Sequence, residues 1–273
     1  MTQPTRSGSR RLPWKSVACL LALVSWLLAP GSWLLAQEGT PGPLLPPVAP
    51  AVVTPSSAPA PARTVEVSED EVVRGDPTRP RISLIVNIGA GFEPAVSILD
   101  TLKDKGVRTT FFVLGWWAEK EPGASILKRI ADDGHEVASH GHSIFDLTTV
   151  SDAAVREDLE RADAVISGIT GRTTRPLWSA SAGNRDARVH RVVAGMGYRP
   201  IYLTVDSWDW MYEATADSVY SRVMNGASNG AIILTHFDSP TTVRSTAVAL
   251  PRLIDDLRAR GYELVTITDL LMQ

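Results

Sequence analysis

The chain has 273 residues, 44% hydrophobic, 21% charged and 7% aromatic, with a formal net charge of −3. This composition excludes wholesale disorder and supplies enough apolar residues for a sizeable core. A single cysteine, Cys19, excludes an internal disulfide framework and a Cys-rich zinc site. The charge is also uneven: Arg6, Arg10, Arg11 and Lys15 put +4 into residues 1–36, so the rest sums to −7 and offers nucleic acid no basic field.

Val17 to Ala36 is a run of twenty uncharged, mostly apolar residues behind that basic flank. The layout predicts a signal peptide or an N-terminal membrane anchor over residues 1–37, interrupted by Pro30-Gly31 and closed by Leu34-Leu35-Ala36. Cys19 does not follow the run, which argues against a lipid-anchored cysteine. Basic residues before the run hold that end in the cytoplasm, so the remainder is expected to be extracellular or anchored on the outer face of the membrane. Membrane contact is expected through this segment alone. Residues 38–80 carry eight prolines between Pro41 and Pro61 and then the acids Glu66, Glu69, Asp70 and Glu71. Proline at this density removes ladder donors and favours an extended linker.

From Arg81 to Gln273 short apolar runs alternate with helix-period segments, the pattern of βα units around a parallel sheet. Strands are expected over 82–88, 109–114, 136–139, 199–205, 231–235 and 264–267. Helices are expected over 94–105, 124–132, 152–168, 186–196, 215–227 and 247–260. Gly106, Gly134, Gly197 and Gly261 follow helices where a left-handed cap is needed. One α/β domain fits this rhythm, either an incomplete barrel or a doubly wound sheet. In both, the carboxyl ends of the strands carry the chemistry. Those ends hold Asn87-Ile88-Gly89-Ala90-Gly91, His140-Gly141-His142, Arg175-Pro176-Leu177-Trp178, Asp206-Ser207-Trp208-Asp209-Trp210 and Thr235-His236-Phe237-Asp238.

At these residues the sequence resembles the polysaccharide deacetylase family (the NodB homology domain, carbohydrate esterase family 4). Gly106-Val107-Arg108-Thr109-Thr110-Phe111-Phe112-Val113-Leu114-Gly115 matches the family's "GVKATFFVLG". Gly134-His135-Glu136-Val137-Ala138-Ser139-His140, followed by Asp146-Leu147-Thr148, matches "GHEIGNH…DLT". Arg175-Pro176, Val205 to Trp210 and Leu234-Thr235-His236 follow in the order of the remaining motifs. The resemblance implies a distorted, incomplete (β/α) barrel and, in active members, removal of acetyl groups from N-acetylated glycans with a divalent, zinc-like metal. It also implies roles. Arg175 orients the base, His236 is the general acid, and Asp206 or Asp209 orients His236. Trp178, Trp208 and Trp210 offer faces to sugar rings, with plain barrel packing as the alternative for each.

The first family motif, TFDDG, carries the base and then a metal ligand. One register sets Asn87 and Ile88 on those positions, and a shift of two residues sets Gly89 and Ala90 there. Neither supplies a carboxylate, and an amide has no useful basicity. The second ligand His falls on Ile144. His140 remains of the ligand set, and His142 would share its side if the segment is extended, with Asp146 or Glu93 as further oxygen donors. A zinc-type site needs three protein ligands and an open position. Two readings therefore stand: an exported deacetylase, or a glycan-binding pseudoenzyme that has lost metal and base. A serine hydrolase is a third, because Ser181, Asp209 and His236 follow the chain order of α/β-hydrolases. The Gly89-Ala90-Gly91 segment is not a dinucleotide loop, since Pro94 holds the third glycine position.

Overall fold

The computed structural model describes residues 65–272. The expected leader and the proline-rich part of the linker lie outside the described residues. From Arg81 the chain runs through β1 (Arg81–Ile88), α1 (Ala95–Asp104), β2 (Thr110–Val113), α2 (Gly115–Ala118), α3 (Gly123–Asp132) and β3 (Glu136–Ser139). It continues with α4 (Asp152–Thr170), β4 (Leu177–Trp178), α5 (Ala187–Gly195), β5 (Arg199–Pro200), β6 (Val205–Asp206) and α6 (Ala216–Gly226). The last elements are β7 (Ile232–His236), α7 (Pro240–Arg244), α8 (Thr246–Ala259), β8 (Glu263–Leu264) and α9 (Ile267–Leu271). The strands pair in parallel in the order β5-β4-β3-β2-β1-β7-β6, with β8 beside the start of β1. The fold is α/β, a curled half-barrel of parallel strands.

Strand alternation divides the core into two layers. Ile82, Leu84, Val86 and Ile88 of β1 pack against the helices, together with Leu99, Trp117, Leu127 and Leu253. Ile85 turns the other way and joins Phe112, Ala138, Leu177, Ile232 and Leu234 inside the curl. A side-chain period of two permits this only if both faces are covered, as in a parallel sheet. The helices end where glycine takes a positive φ, at Gly106 (+58°), Gly134 (+81°), Gly197 (+88°) and Gly261 (+88°), as the sequence predicts.

The expected single strand over 199–205 is two short strands on opposite edges of the sheet. Residues between them cross the open side of the curl and pair with the segment before the first strand. The Val72 amide donates to the Pro200 carbonyl (2.9 Å) and the Tyr202 amide to the Val72 carbonyl (2.8 Å). The Thr204 hydroxyl donates to the Val73 carbonyl (2.6 Å), and the Gly75 amide donates to the Gly230 carbonyl (2.8 Å). The expected strand over 264–267 stops at Leu264, because Thr266 accepts the Asp269 amide (3.2 Å) and caps α9.

Candidate functional site

The carboxyl ends of β1, β3, β4, β6 and β7 surround a cavity of ≈ 380 Å³, within the range of small-ligand sites. Ile85, Leu203 and Leu234 form its apolar floor, and Asn87, His140, Ser179, Asp206 and His236 bring polar atoms to it. Ala180, Ala182, Gly183 and Tyr202 make one wall, and Trp210 stands at the mouth, 52% exposed. Register fixes the two central groups, since Asn87 at the end of β1 is the direct partner of His236 at the end of β7.

His236 is held by a fully buried carboxylate. Asp209 accepts the His236 backbone N–H (2.7 Å) and its Nδ1–H (2.8 Å). The Thr246 hydroxyl donates to the same carboxylate, and the Ser245 hydroxyl donates to the Asp209 carbonyl (3.1 Å). Burial alone would lower the His236 pKa. The bond and charge of Asp209, with Asp238 and Asp206 adding, outweigh it and raise the pKa above 6.5. The imidazole is therefore locked with Nδ1 on Asp209, and its protonated form is favoured over that of a free imidazole.

His140 has the opposite character. Its Nδ1 lies 2.8 Å from the Ser179 carbonyl oxygen, which only a protonated nitrogen can approach as a partner, so the lone pair sits on Nε2. Burial pushes its pKa down to about 4, against the Ser179 bond and helped by the charge on His236. Asn87 completes the group. Its side chain is nine-tenths buried, and Oδ1 has no hydrogen-bond partner. A buried acceptor left open at a cavity is an acceptor offered to a ligand or to water.

Several expected site residues lie elsewhere. Arg175 precedes β4 and so sits at the amino end of the sheet. There it pairs with Asp163, donates to the Met196 carbonyl (2.8 Å) and stacks on Tyr198. A group that must orient a base at the carboxyl end belongs after β4, where Ser179 stands. Trp178 is not a sugar platform, because it is 1% exposed inside the core with Leu159, Val189 and Tyr198. His142 does not join His140. Gly141 takes φ +83°, which breaks the extended path that would set both imidazoles on one side. The His142 amide is then tied to Asp158 (2.8 Å), and its Nε2 meets Glu119 (3.1 Å). Ile88 faces the helices, 1% exposed, so the register that makes it a ligand position fails. The inward series runs through Ile85, Asn87 and Gly89.

Asp209 is the residue that orients His236. Asp206 instead lines the cavity and accepts the Trp208 amide (2.8 Å). Ser181 is not a lining residue, and among the described residues no hydrogen bond joins it to His236. Two residues have structural roles that the sequence does not assign. Asp238 accepts the Gly89 amide (2.5 Å) and the Ala90 amide (2.6 Å), filling the strand end with a carboxylate that does not line the cavity. Burial raises its pKa against those two amides. Its one signal is the spacing of two from His236. Asp158 holds the turn after His140 through the His142 and Ser143 amides (2.8 and 3.0 Å).

The donor set does not fit a zinc-type metal. Among the described residues no three His, Cys, Asp or Glu side chains converge. The cavity that holds His140 is lined otherwise mainly by apolar and amide groups, among them Asn87, Ile85 and Leu234. What the cavity does offer is one charged or donor imidazole, one acceptor imidazole, an open amide, a carboxylate and an aromatic face.

Known proteins resemble this chain in sequence and in fold. The profile of the polysaccharide deacetylases matches residues 74–201. The peptidoglycan-N-acetylglucosamine deacetylase PgdA of Listeria monocytogenes is 34% identical over 197 residues, covering 71% of this chain and 39% of that protein. A chitooligosaccharide deacetylase of Rhizobium leguminosarum bv. trifolii is 33% identical over 178 residues, covering 61% of this chain and 80% of that protein. The chain likewise spans 60% of the length of YlxY, an uncharacterized Bacillus subtilis protein. Among solved structures, a family 4 carbohydrate esterase pseudoenzyme from Bacillus anthracis superposes with a TM-score of 0.69 at 29% identity, over 75% of this chain and 70% of that one. A mutant of that pseudoenzyme carries restored enzymatic activity.

Proposed function

This chain belongs to the polysaccharide deacetylase family, and from that premise we propose that it binds N-acetylated glycan in the His140–His236 cavity without deacetylating it. The observation that carries the reading is the end of β1. Positions 89 and 90 hold glycine and alanine, and their amides are occupied by Asp238. Active members of the family work through a metal, which polarises the acetyl carbonyl and activates water. The residues here do not fit that ion.

Binding needs none of it. His236 offers Nε2 to a sugar carbonyl or hydroxyl, as a donor when the ring is charged and as an acceptor when it is neutral, because Asp209 holds the Nδ1–H in both forms. His140 Nε2 and Asn87 Oδ1 accept from hydroxyl or amide hydrogens. Trp210 at the mouth supplies a ring face of the kind that stacks on pyranoses. PgdA acts on peptidoglycan N-acetylglucosamine and the Rhizobium enzyme on chitooligosaccharide. A cell-wall or extracellular polysaccharide with N-acetylated units is the corresponding partner here. The basic flank and apolar run of residues 1–37 support export, with the domain on the outer side of the membrane. Protease added to intact cells should then cut the proline-rich linker.

Calorimetric titration with chitooligosaccharides and peptidoglycan fragments tests the reading. Binding that weakens at least tenfold in His236→Ala and in Trp210→Ala supports it. Binding indifferent to both substitutions refutes the cavity as the site.

A further inference from the structure

The cavity wall made by Ala182, Gly183 and Tyr202 is held from outside the barrel, by the segment that leads out of the linker. Arg185 is the connecting residue. Its Nη1 donates to the Gly183 carbonyl (2.9 Å), and its guanidinium lies 3.3 Å from the centre of the Tyr202 ring. Both partners line the cavity. The remaining face of the fork is taken by Glu71: Nε donates to one carboxylate oxygen and Nη2 to the other (3.3 Å). The side chains are 25% and 19% exposed, so solvent screens the pair only in part. His190 Nε2 approaches the same carboxylate at 3.6 Å.

This wall needs holding. Ala182 has φ +54° and Gly183 φ +73°, so one of two consecutive left-handed residues is not a glycine. A non-glycine residue in that conformation is strained and persists only when its surroundings fix it. Glu71 itself is fixed because the next residue, Val72, pairs with the crossing segment at Pro200 and Tyr202.

We propose that Glu71 and Arg185 form a positioning clamp that couples docking of segment 65–75 to the shape of the ligand cavity. Glu71 touches no ligand and acts through Arg185. The clamp rests on the glycan-binding reading for its ligand but not for its geometry. Coupling of this kind is reciprocal: if docking of the segment improves the cavity, occupancy of the cavity must tighten the segment.

Hydrogen exchange on the full chain, with and without chitopentaose, tests both halves. In Glu71→Gln the Gly183 and Asn184 amides, which donate to Ala180 and Ser181 within the wall, should exchange about fivefold faster or more. Amides of β1 and α4 should be unchanged. Chitopentaose should slow exchange at Val72 and Gly75 in the wild type and not in Glu71→Gln, and its affinity should fall about fivefold or more. Glu71→Gln and Arg185→Ala together should lose no more affinity than either alone. Wall amides that exchange as in the wild type, or affinity losses that add, overturn the clamp. If the wild type binds no glycan, the functional reading fails, and the wall amides alone decide the clamp.

Discussion

Asp209→Asn removes one charge from the centre of the site and leaves its shape. Asp209 has no exposure and satisfies three donors: the His236 amide, His236 Nδ1 and the Thr246 hydroxyl. An asparagine oxygen can still accept from one or two of them, but it no longer balances an imidazolium. Breaking a buried pair by neutralising one partner costs about 3–5 kcal/mol. The lower end, about 3 kcal/mol, applies here because 21% of the imidazole faces the cavity. The pH dependence must change sign as well. In the wild type the folded-state pKa of His236 is raised, so its stabilising contribution is full below about 6.5 and is lost as pH rises through the folded value. In Asp209→Asn burial is the largest remaining influence, the folded pKa falls below 6.5, and the variant should lose stability as pH drops through that window. Denaturant unfolding between about pH 5 and pH 8, paired with NMR titration of the His236 ring, reads both effects. An Asn variant whose His236 still titrates above its ordinary value, or whose stability falls by less than about 1 kcal/mol, would refute the assignment of Asp209 as the orienting group.

The remaining predictions concern placement. Ile88→Asp should cost more than about 3 kcal/mol and create no metal site, because it puts an unpaired carboxylate among helix-facing core residues; chemical unfolding and zinc retention after dialysis check it. Gly89→Asp should lower the melting temperature, since a Cβ there would lie 2.2 Å from Leu114 Cδ1; combining it with Leu114→Ala should relieve the clash and recover part of the loss, as thermal unfolding will show. Trp178→Ala should cost about 3–5 kcal/mol, whereas Trp210→Ala should stay within about 0.5 kcal/mol of wild type and lose glycan affinity, as unfolding and calorimetry together will show.

Much of this fold is legible in the amino-acid sequence itself. Short apolar runs, and glycines just past α1, α3, α5 and α8, locate β1, β2, β3 and β7 to within a residue or two because strand runs and cap chemistry are local signals. The elements that escape are set by distant partners. Strands β4, β5 and β6 are two residues each, too short for a period to register, and the chain between β5 and β6 pairs with the distant residues Val72 and Val73. The site shows the same division. His236, Asp209, Asp206, His140 and Asn87 are readable because strand ends concentrate chemistry. Arg175-Pro176 misleads because the dipeptide matches a family motif while the strand begins two residues later. His142 misleads because one left-handed glycine, Gly141, cancels an argument from alternation. Ile88 is a question of parity, settled by which face of β1 meets the helices. Glu71 carries no signal at all, since its partner lies 114 residues away.

On the proposed function, the cavity keeps a family member's glycan site without its hydrolytic centre. Acetate release from chitopentaose by the unmodified protein, assayed after zinc, cobalt or nickel loading across about pH 5–9, tests it most directly. The predicted result is release no faster than in His236→Ala, with chitopentaose still bound. Metal-dependent release well above that variant would contradict the account and return His140 to the role of a metal ligand.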